Sequence, residues 1–363
     1  MLQSSVFTLG VHQIILARQS APMKQHQFGK SGLYVSELCL GAITFGDPRS
    51  FGSSIDDSNA ILKDFADAGG TFIDTAHLYA QGESERIVGA FVKANRDDFV
   101  ISTKYTPART GGPQRAGNGR KNMMRSIDES LRRLGSEHID IFWLHARDGV
   151  TPWDEILRGL DDLVRSGKAL YVAVSDTTAW EISRANMLAE LRGWSSFIGL
   201  QIEYSLVERT PERDLLPMAE ALGLGVLAWA PLAGGALSGK YVAGQPSDEP
   251  TRLSTARLPA RSLELAKLVA TIASELGARP AQVALAWLRT RTCGDHGIVP
   301  ILGARTPAQL VENLGALELS LAPAQVERLD TASRVELGFP HDFLRSEMMR
   351  NLLSGGAPTL KQT

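Results

Sequence analysis

The chain has 363 residues, 44% of them hydrophobic and 21% charged, with a formal net charge of −2 and two cysteines. That composition describes a folded globular protein with ample chain for a full core, in one large domain or two smaller ones. It excludes general electrostatic attraction to nucleic acid or acidic membranes, no apolar stretch is long enough to span a bilayer, and lone Cys39 and Cys293 make neither a disulfide framework nor a zinc motif, which points to a reducing, cytoplasmic setting.

Residues 1–22 differ in pattern from the rest of the chain. Val6 to Ala17 is partly apolar, but no Lys or Arg precedes it, and His12 and Gln13 interrupt it. The expectation is a largely disordered extension, with an export signal as the alternative. From Met23 the pattern becomes regular. Residues 25–28 and 33–36 flank a glycine-containing turn and predict a hairpin. A short buried strand is predicted over 37–41. Residues 56–68 predict an amphipathic helix, with Ile61, Leu62, Phe65 and Ala68 at helical spacing and Gly69-Gly70 at its end.

The next strand, 71–74, ends in Asp74, with Tyr79 five residues on. Further strands are predicted over 99–103, 139–144, 169–174, 197–202, 225–228 and 297–302. Helices between them are predicted over 84–94, 120–134, 152–166, 178–191, 211–222, 262–276, 280–291 and 307–315. Two long stretches rich in Gly, Pro, Ser and Thr, 106–119 and about 231–260, read as loops of functional length. A further helix is expected over 322–333, with an irregular tail after Gly338. Counted from Glu37, strand and helix alternate eight times with no second sheet pattern. This predicts a single α/β domain over 23–335, a closed (β/α)8 TIM barrel with an N-terminal hairpin and long loops on its C-terminal face. Residues 336–363 are expected to contribute to or cover that face. A doubly wound open sheet is the alternative, but no Gly-x-Gly-x-x-Gly comes after the first strand.

In a barrel the residues just after each strand converge on one face. Here they are Asp74, Lys104, His145, Ser175, Gln201, Trp229 and Gly303, with Tyr79 in a neighbouring loop. Singly, each has an ordinary explanation, such as a helix-capping Asp, a solvated Lys or a packed His. Arriving together at strand ends, they predict an active site. A Tyr hydroxyl titrates near about 10, too high for easy proton donation at neutral pH, and a neighbouring ammonium favours the phenolate. Asp74 would hold Lys104, Lys104 would lower the pKa of Tyr79, and Tyr79 would pass a proton to or from a carbonyl oxygen that His145 also hydrogen-bonds. No metal-ligand spacing and no activated nucleophile accompanies the set, which suits a reaction whose harder step belongs to a cofactor.

These residues carry a resemblance. From about Lys24 to Ala322 the chain is similar to the aldo-keto reductases, on Phe72-Ile73-Asp74-Thr75-Ala76 through Tyr79, Ser102-Thr103-Lys104, Ile139-Asp140 through His145, Gly225 through Pro231-Leu232, and Pro300 through Asn313. Val174 to Trp180 most resembles the aryl-alcohol dehydrogenase-like branch. The resemblance implies that Asp74, Tyr79, Lys104 and His145 form the catalytic tetrad and that Trp229 stacks on a nicotinamide ring. It implies that Ser175 and Gln201 bind the carboxamide, with Asp176 beside them where Asn is commoner in the family. Ala42 and Ile43 are expected to touch the cofactor, Pro231, Leu232 and Lys240 to cover its pyrophosphate, and Gly303, Arg305, Gln309, Glu312 and Asn313 to hold its adenosine end. A guanidinium at 305 suits a ribose 2′-phosphate, aided by the helix that starts at Pro307, so NADP(H) is expected over NAD(H). The implied substrate is a small aldehyde or ketone, with an aryl aldehyde fitting the branch it most resembles; Arg109, Arg115 and Arg120 read either as a solvated basic loop or as a site for the phosphate or carboxylate of a larger substrate such as a nucleotide-linked keto-sugar. Phe45, Phe51, Tyr105 and Tyr241 are expected in the pocket walls. A rival use of the same barrel is an NADPH-sensing regulatory subunit. Nothing in the sequence names a protein partner.

Overall fold

The computed structural model describes residues 23–47, 52–242 and 259–357. The expected extension at 1–22, Phe51, and most of the second long loop lie outside these residues. Strands β1 (Gln25–Gln27) and β2 (Tyr34–Ser36) pair antiparallel as the predicted hairpin. Eight parallel strands then close into a barrel: β3 (Cys39–Gly41), β4 (Phe72–Asp74), β5 (Val100–Tyr105), β6 (Ile139–Leu144), β7 (Ala169–Ser175), β8 (Gly199–Glu203), β9 (Gly225–Trp229) and, after a short hairpin, β12 (Val299–Leu302). Closure is made by β12, which pairs with β9 through Val299↔Leu227 and with β3 through Ile301↔Cys39. The hairpin, β10 (Thr292–Cys293) with β11 (His296–Gly297), takes the place of the start assigned from sequence to the last strand.

Helices α1 (Ile55–Asp67), α2 (Glu83–Val92), α3 (Arg120–Leu134), α4 (Trp153–Arg165), α5 (Ala179–Arg192) and α6 (Leu215–Leu222) each return the chain between consecutive strands. Two helices, α7 (Ala260–Leu276) and α8 (Pro280–Arg289), come after β9, and α9 (Pro307–Leu314) and α10 (Pro323–Ser333) come after β12. The tail is helical where an irregular chain was expected, in α11 (His341–Leu344) and α12 (Glu347–Leu353). Neither helix buries a residue, so no apolar periodicity marked them. No helix among the described residues is long and apolar enough to cross a membrane.

The two-residue period of a strand sorts each barrel strand into an inner and an outer face. On β5, Ser102 and Lys104 share one face, while Thr103 and Tyr105 face the helices. Tyr105 is therefore buried and stacked on Phe142 at 5.2 Å, rather than lining a pocket. Phe45 is likewise fully buried in the core between barrel and helices. A second core fills the barrel itself, with Phe72, Val100, Trp143, Ala173, Leu227 and Val299 among its members. The hairpin closes its N-terminal end. Gly199 and Gly225 open β8 and β9, and a Cβ on either would come within 2.5 or 2.6 Å of the Phe28 ring. Their bare backbones let that ring plug the barrel floor.

Candidate active site

At the other end of the same strands the barrel interior turns polar. β4 ends in Asp74, and the adjacent β5 carries Ser102 and Lys104 inward. The Lys104 side chain is fully buried and that of Asp74 nearly so. A buried charge of this kind persists only when it is paired and hydrogen-bonded, and both requirements are met. Lys104 Nζ donates to Asp74 Oδ2 at 2.5 Å, to the Thr75 carbonyl at 2.7 Å and to the Tyr79 hydroxyl at 3.2 Å. The three protons of the ammonium are thus all assigned. Asp74 Oδ1 accepts from Ser102 Oγ at 2.6 Å, and Gln201 Nε2 approaches it at 3.4 Å. Ser102 was not singled out from sequence, although it lies two residues before Lys104 on the same strand and must share its face.

Tyr79 opens a one-turn 3-10 segment, Tyr79–Gly82, and its ring lies edge-on to the ring of His145 with centroids 6.2 Å apart. Burial pushes the Tyr79 hydroxyl above its ordinary value, while the Lys104 ammonium pulls it down. The net direction is upward, which corrects the expectation that Lys104 would leave it lowered. Burial works against the Lys104 charge as well, but Asp74 and Tyr79 outweigh it and hold the ammonium above its usual range. His145 is pushed down to about 3, first by burial and then by the nearby Lys104 charge. Its imidazole is therefore neutral at physiological pH. His77, which carries no sequence signal of its own, brackets the same strand: its N–H reaches the Lys104 carbonyl at 3.3 Å and its Nδ1 lies 2.8 Å from that oxygen.

The structure brings the expected cofactor residues to the same face in two groups. Ser175 ends β7, Gln201 lies on β8 and Trp229 ends β9, so all three ring the mouth. The Trp229 indole donates to Asp176 at 3.3 Å, and Asp176 has a left-handed backbone (φ +41). Ala42 is buried and donates to the Asp74 carbonyl, while Ile43 beside it is 43% exposed. Pro231 and Leu232 come directly after Trp229 and Ala230, and Lys240 lies near the end of that described stretch. The second group forms a knot after β12. Asn313 Nδ2 donates to the Gly303 carbonyl at 3.3 Å, the Arg305 amide donates to Gln309 Oε1 at 3.0 Å, and Thr306 caps α9. Glu312 is exposed, and its carbonyl takes a bond from Gln282. Thr44 ties this knot to the loop after β3 by donating to the Ala304 carbonyl at 2.7 Å.

The donor set fits a nicotinamide dinucleotide. Ser175 Oγ is buried with no hydrogen-bond partner, and His145 Nδ1 is in the same state. Gly303 has open space where a side chain would stand, beside the N-terminus of α9. Arg109 and Arg115 are exposed on the loop after β5, and Arg120 is paired with Asp162 at 2.5 Å.

A family model described as the aldo/keto reductase family matches residues 37–334. The chain belongs to the aldo/keto reductase family. Individual relatives match over most of both chains. A norsolorinic acid reductase B of Dothistroma septosporum is 35% identical, over 90% of this chain and 85% of its own length. An aryl-alcohol dehydrogenase [NADP(+)] of Phanerodontia chrysosporium is 34% identical, over 85% of this chain and 86% of its own. A putative voltage-gated potassium channel subunit beta of Schizosaccharomyces pombe is 34% identical, over 83% and 91%. As an aldo/keto reductase with reductases and dehydrogenases among its relatives, the chain is an oxidoreductase of carbonyl compounds.

Proposed function

We propose that this aldo/keto reductase uses NADP(H) to interconvert a small aldehyde or ketone and its alcohol, with Tyr79 exchanging the proton at the substrate oxygen. The observation that carries the reading is the contact chain Asp74–Lys104–Tyr79, closed by bonds of 2.5 and 3.2 Å at the polar end of the barrel. When bound, the nicotinamide ring supplies the two-electron reducing power. Trp229 would hold that ring, Ser175 and Gln201 its amide, and Arg305 beside the α9 N-terminus the 2′-phosphate that distinguishes NADP(H) from NAD(H).

The protein's own part is proton transfer. In reduction, Tyr79 gives its hydroxyl proton to the oxygen that becomes the alcohol. Burial keeps the phenol protonated at neutral pH but makes it a weaker acid, and the Lys104 ammonium offsets this by stabilising the phenolate that forms. Asp74, itself held by the Ser102 hydroxyl, aims and balances the ammonium. His145, neutral because it is buried, would donate one hydrogen bond to the same oxygen and orient it. In oxidation the phenolate takes the proton back.

An aryl aldehyde suits the likeness to an aryl-alcohol dehydrogenase. A keto-sugar phosphate would draw on Arg109 and Arg115. The tail from residue 336 is proposed to border the active-site face, because Arg213, in the connection after β8, holds the Glu336 carbonyl at 2.7 Å. The buried free thiols Cys39 and Cys293 fit the proposed cytoplasmic setting. The likeness to a channel subunit beta keeps a second reading in view, an NADPH-sensing subunit that grips another protein. Stopped-flow mixing of NADPH-loaded protein with aromatic aldehydes, aliphatic aldehydes and keto-sugars separates the two. Rapid oxidation of bound NADPH with one class is expected; cofactor that binds but never turns over, together with a stoichiometric co-purifying protein, favours the second reading.

A further inference from the structure

The Tyr79 loop is held in an uncommon shape. Ala80 and Gln81 have φ of +45 and +56, and Gly82 has +89, so three consecutive residues lie on the left-handed side. Two of them are not glycine, and each such residue persists only where its surroundings enforce it. The enforcing contacts come from the side away from the proposed substrate. Arg133, in the last turn of α3, lies under the loop. Its Nη1 donates to the His77 carbonyl at 3.2 Å and to Glu85 Oε2 at 2.9 Å. A Cβ on Gly82 would stand 2.6 Å from the Arg133 Nε, so the loop rests directly on the guanidinium. Glu85 is fully buried on α2, and its other oxygen accepts from Thr103 Oγ1 at 2.7 Å. Thr103 immediately precedes Lys104. One carboxylate therefore touches the strand that carries Lys104 and, through Arg133, the loop that carries Tyr79. Glu129 completes the pairing by accepting from Arg133 Nη2 at 3.3 Å.

We infer that Arg133 and Glu85 are positioning residues that set the 3.2 Å contact between Lys104 and Tyr79 from behind the site. They touch neither reacting atom. They fix how the left-handed loop sits on β5, and with it the aim of the phenol. The inference rests on Tyr79 being the proton donor.

The test is steady-state and single-turnover reduction by wild type, Arg133→Met, Arg133→Lys and Tyr79→Phe, with NADPH affinity measured by fluorescence and folding by circular dichroism. Misplacing a reacting group by about 1 Å costs on the order of 100-fold in rate. Arg133→Met is accordingly expected to lower kcat by about 10- to 100-fold with KM and NADPH affinity unchanged. Arg133→Lys keeps a cation between Glu85 and the His77 carbonyl and should recover part of the loss. If Arg133→Met does not fold, Glu85→Gln, which keeps the shape and loses the charge, takes its place with the same fall in kcat expected. Wild-type kcat in folded Arg133→Met or Glu85→Gln, or a loss confined to KM or NADPH binding, overturns the inference. If wild type reduces no carbonyl, or Tyr79→Phe keeps its rate, the functional reading fails and this inference falls with it; if both behave as proposed, an unimpaired Arg133→Met sinks this inference alone.

Discussion

The two ends of the barrel interior are built from the same strands and could hardly differ more in chemistry. On β5, Val100 belongs to the apolar floor, and Ser102 and Lys104, two and four residues on, belong to the polar rim. The floor is dry, filled by Phe72, Trp143 and Leu227 and plugged by Phe28. The rim is as deeply buried but built of Asp74, Lys104 and Gln201, with Ser175 Oγ and His145 Nδ1 left without partners. The contrast shows a division of labour along each strand. Packing at the floor supplies stability. At the rim a charged pair is tolerated because every proton on the ammonium has an acceptor.

If this division is right, substitutions at the two ends should fail in different ways. The largest effect is expected from Lys104→Met. It leaves the Asp74 carboxylate buried without its cation, a cost of about 3–5 kcal/mol, and should also remove on the order of 100- to 10,000-fold of turnover. Thermal melting and single-turnover rates would check both; a variant that keeps its rate would contradict the assigned role of Lys104. Phe28→Ala should cost a similar amount, about 3–5 kcal/mol, as removal of a buried ring does, yet leave the kcat of the folded fraction within about threefold of wild type. Loss of activity in fully folded Phe28→Ala would show that floor and rim are not separable.

A smaller effect is expected at the far end of the proposed cofactor site. Arg305→Leu should weaken NADPH binding by about 10- to 100-fold and leave NADH affinity nearly unchanged, since charge-assisted hydrogen bonds contribute roughly 1.5–3 kcal/mol. Titrations of both cofactors by fluorescence would decide, and equal losses would remove the argument for a 2′-phosphate contact. The last effect is one of pH, and at neutral pH it is absent. His145 is held down to about 3, and burial lowers His77 as well. An unfolded His titrates near about 6.5. Above that value neither state is protonated and these residues add no pH dependence. As pH falls from about 6.5 toward 3, the unfolded chain binds protons that the folded chain refuses, so stability should decline. Denaturation midpoints across that window should fall less steeply in a His145→Asn variant, and an unchanged slope would contradict the neutral, buried imidazole.

How much of this was legible in the sequence divides along the same physical lines. Helix α3 and strand β6 match their predicted bounds, because a strong 3.6-residue pattern halted by Gly135 and a β-branched and aromatic run interrupted only by Asp140 leave little alternative. The convergence of Asp74, Lys104, Gln201 and Trp229 came from strand ends alone. The β10–β11 hairpin did not, since two-residue strands carry no alternation to read. Tyr105 was misplaced because the strand was ended at Thr103, two residues before β5 ends. Ser102 and the Glu85–Arg133 pair were missed because their importance lies in contacts 18 to 48 residues apart along the chain. The direction of the Tyr79 shift was missed because a nearby charge can be read from sequence and depth of burial cannot.

The most direct test of the account is the chemical step in NADPH-loaded Tyr79→Phe, tracked by stopped flow with an aldehyde that wild type reduces. The phenyl ring keeps its place beside His145 and removes only the hydroxyl that Lys104 touches. The account predicts that NADPH binds as in wild type while its oxidation slows by about 100- to 10,000-fold. A rate within a few-fold of wild type would show that the proton comes from elsewhere.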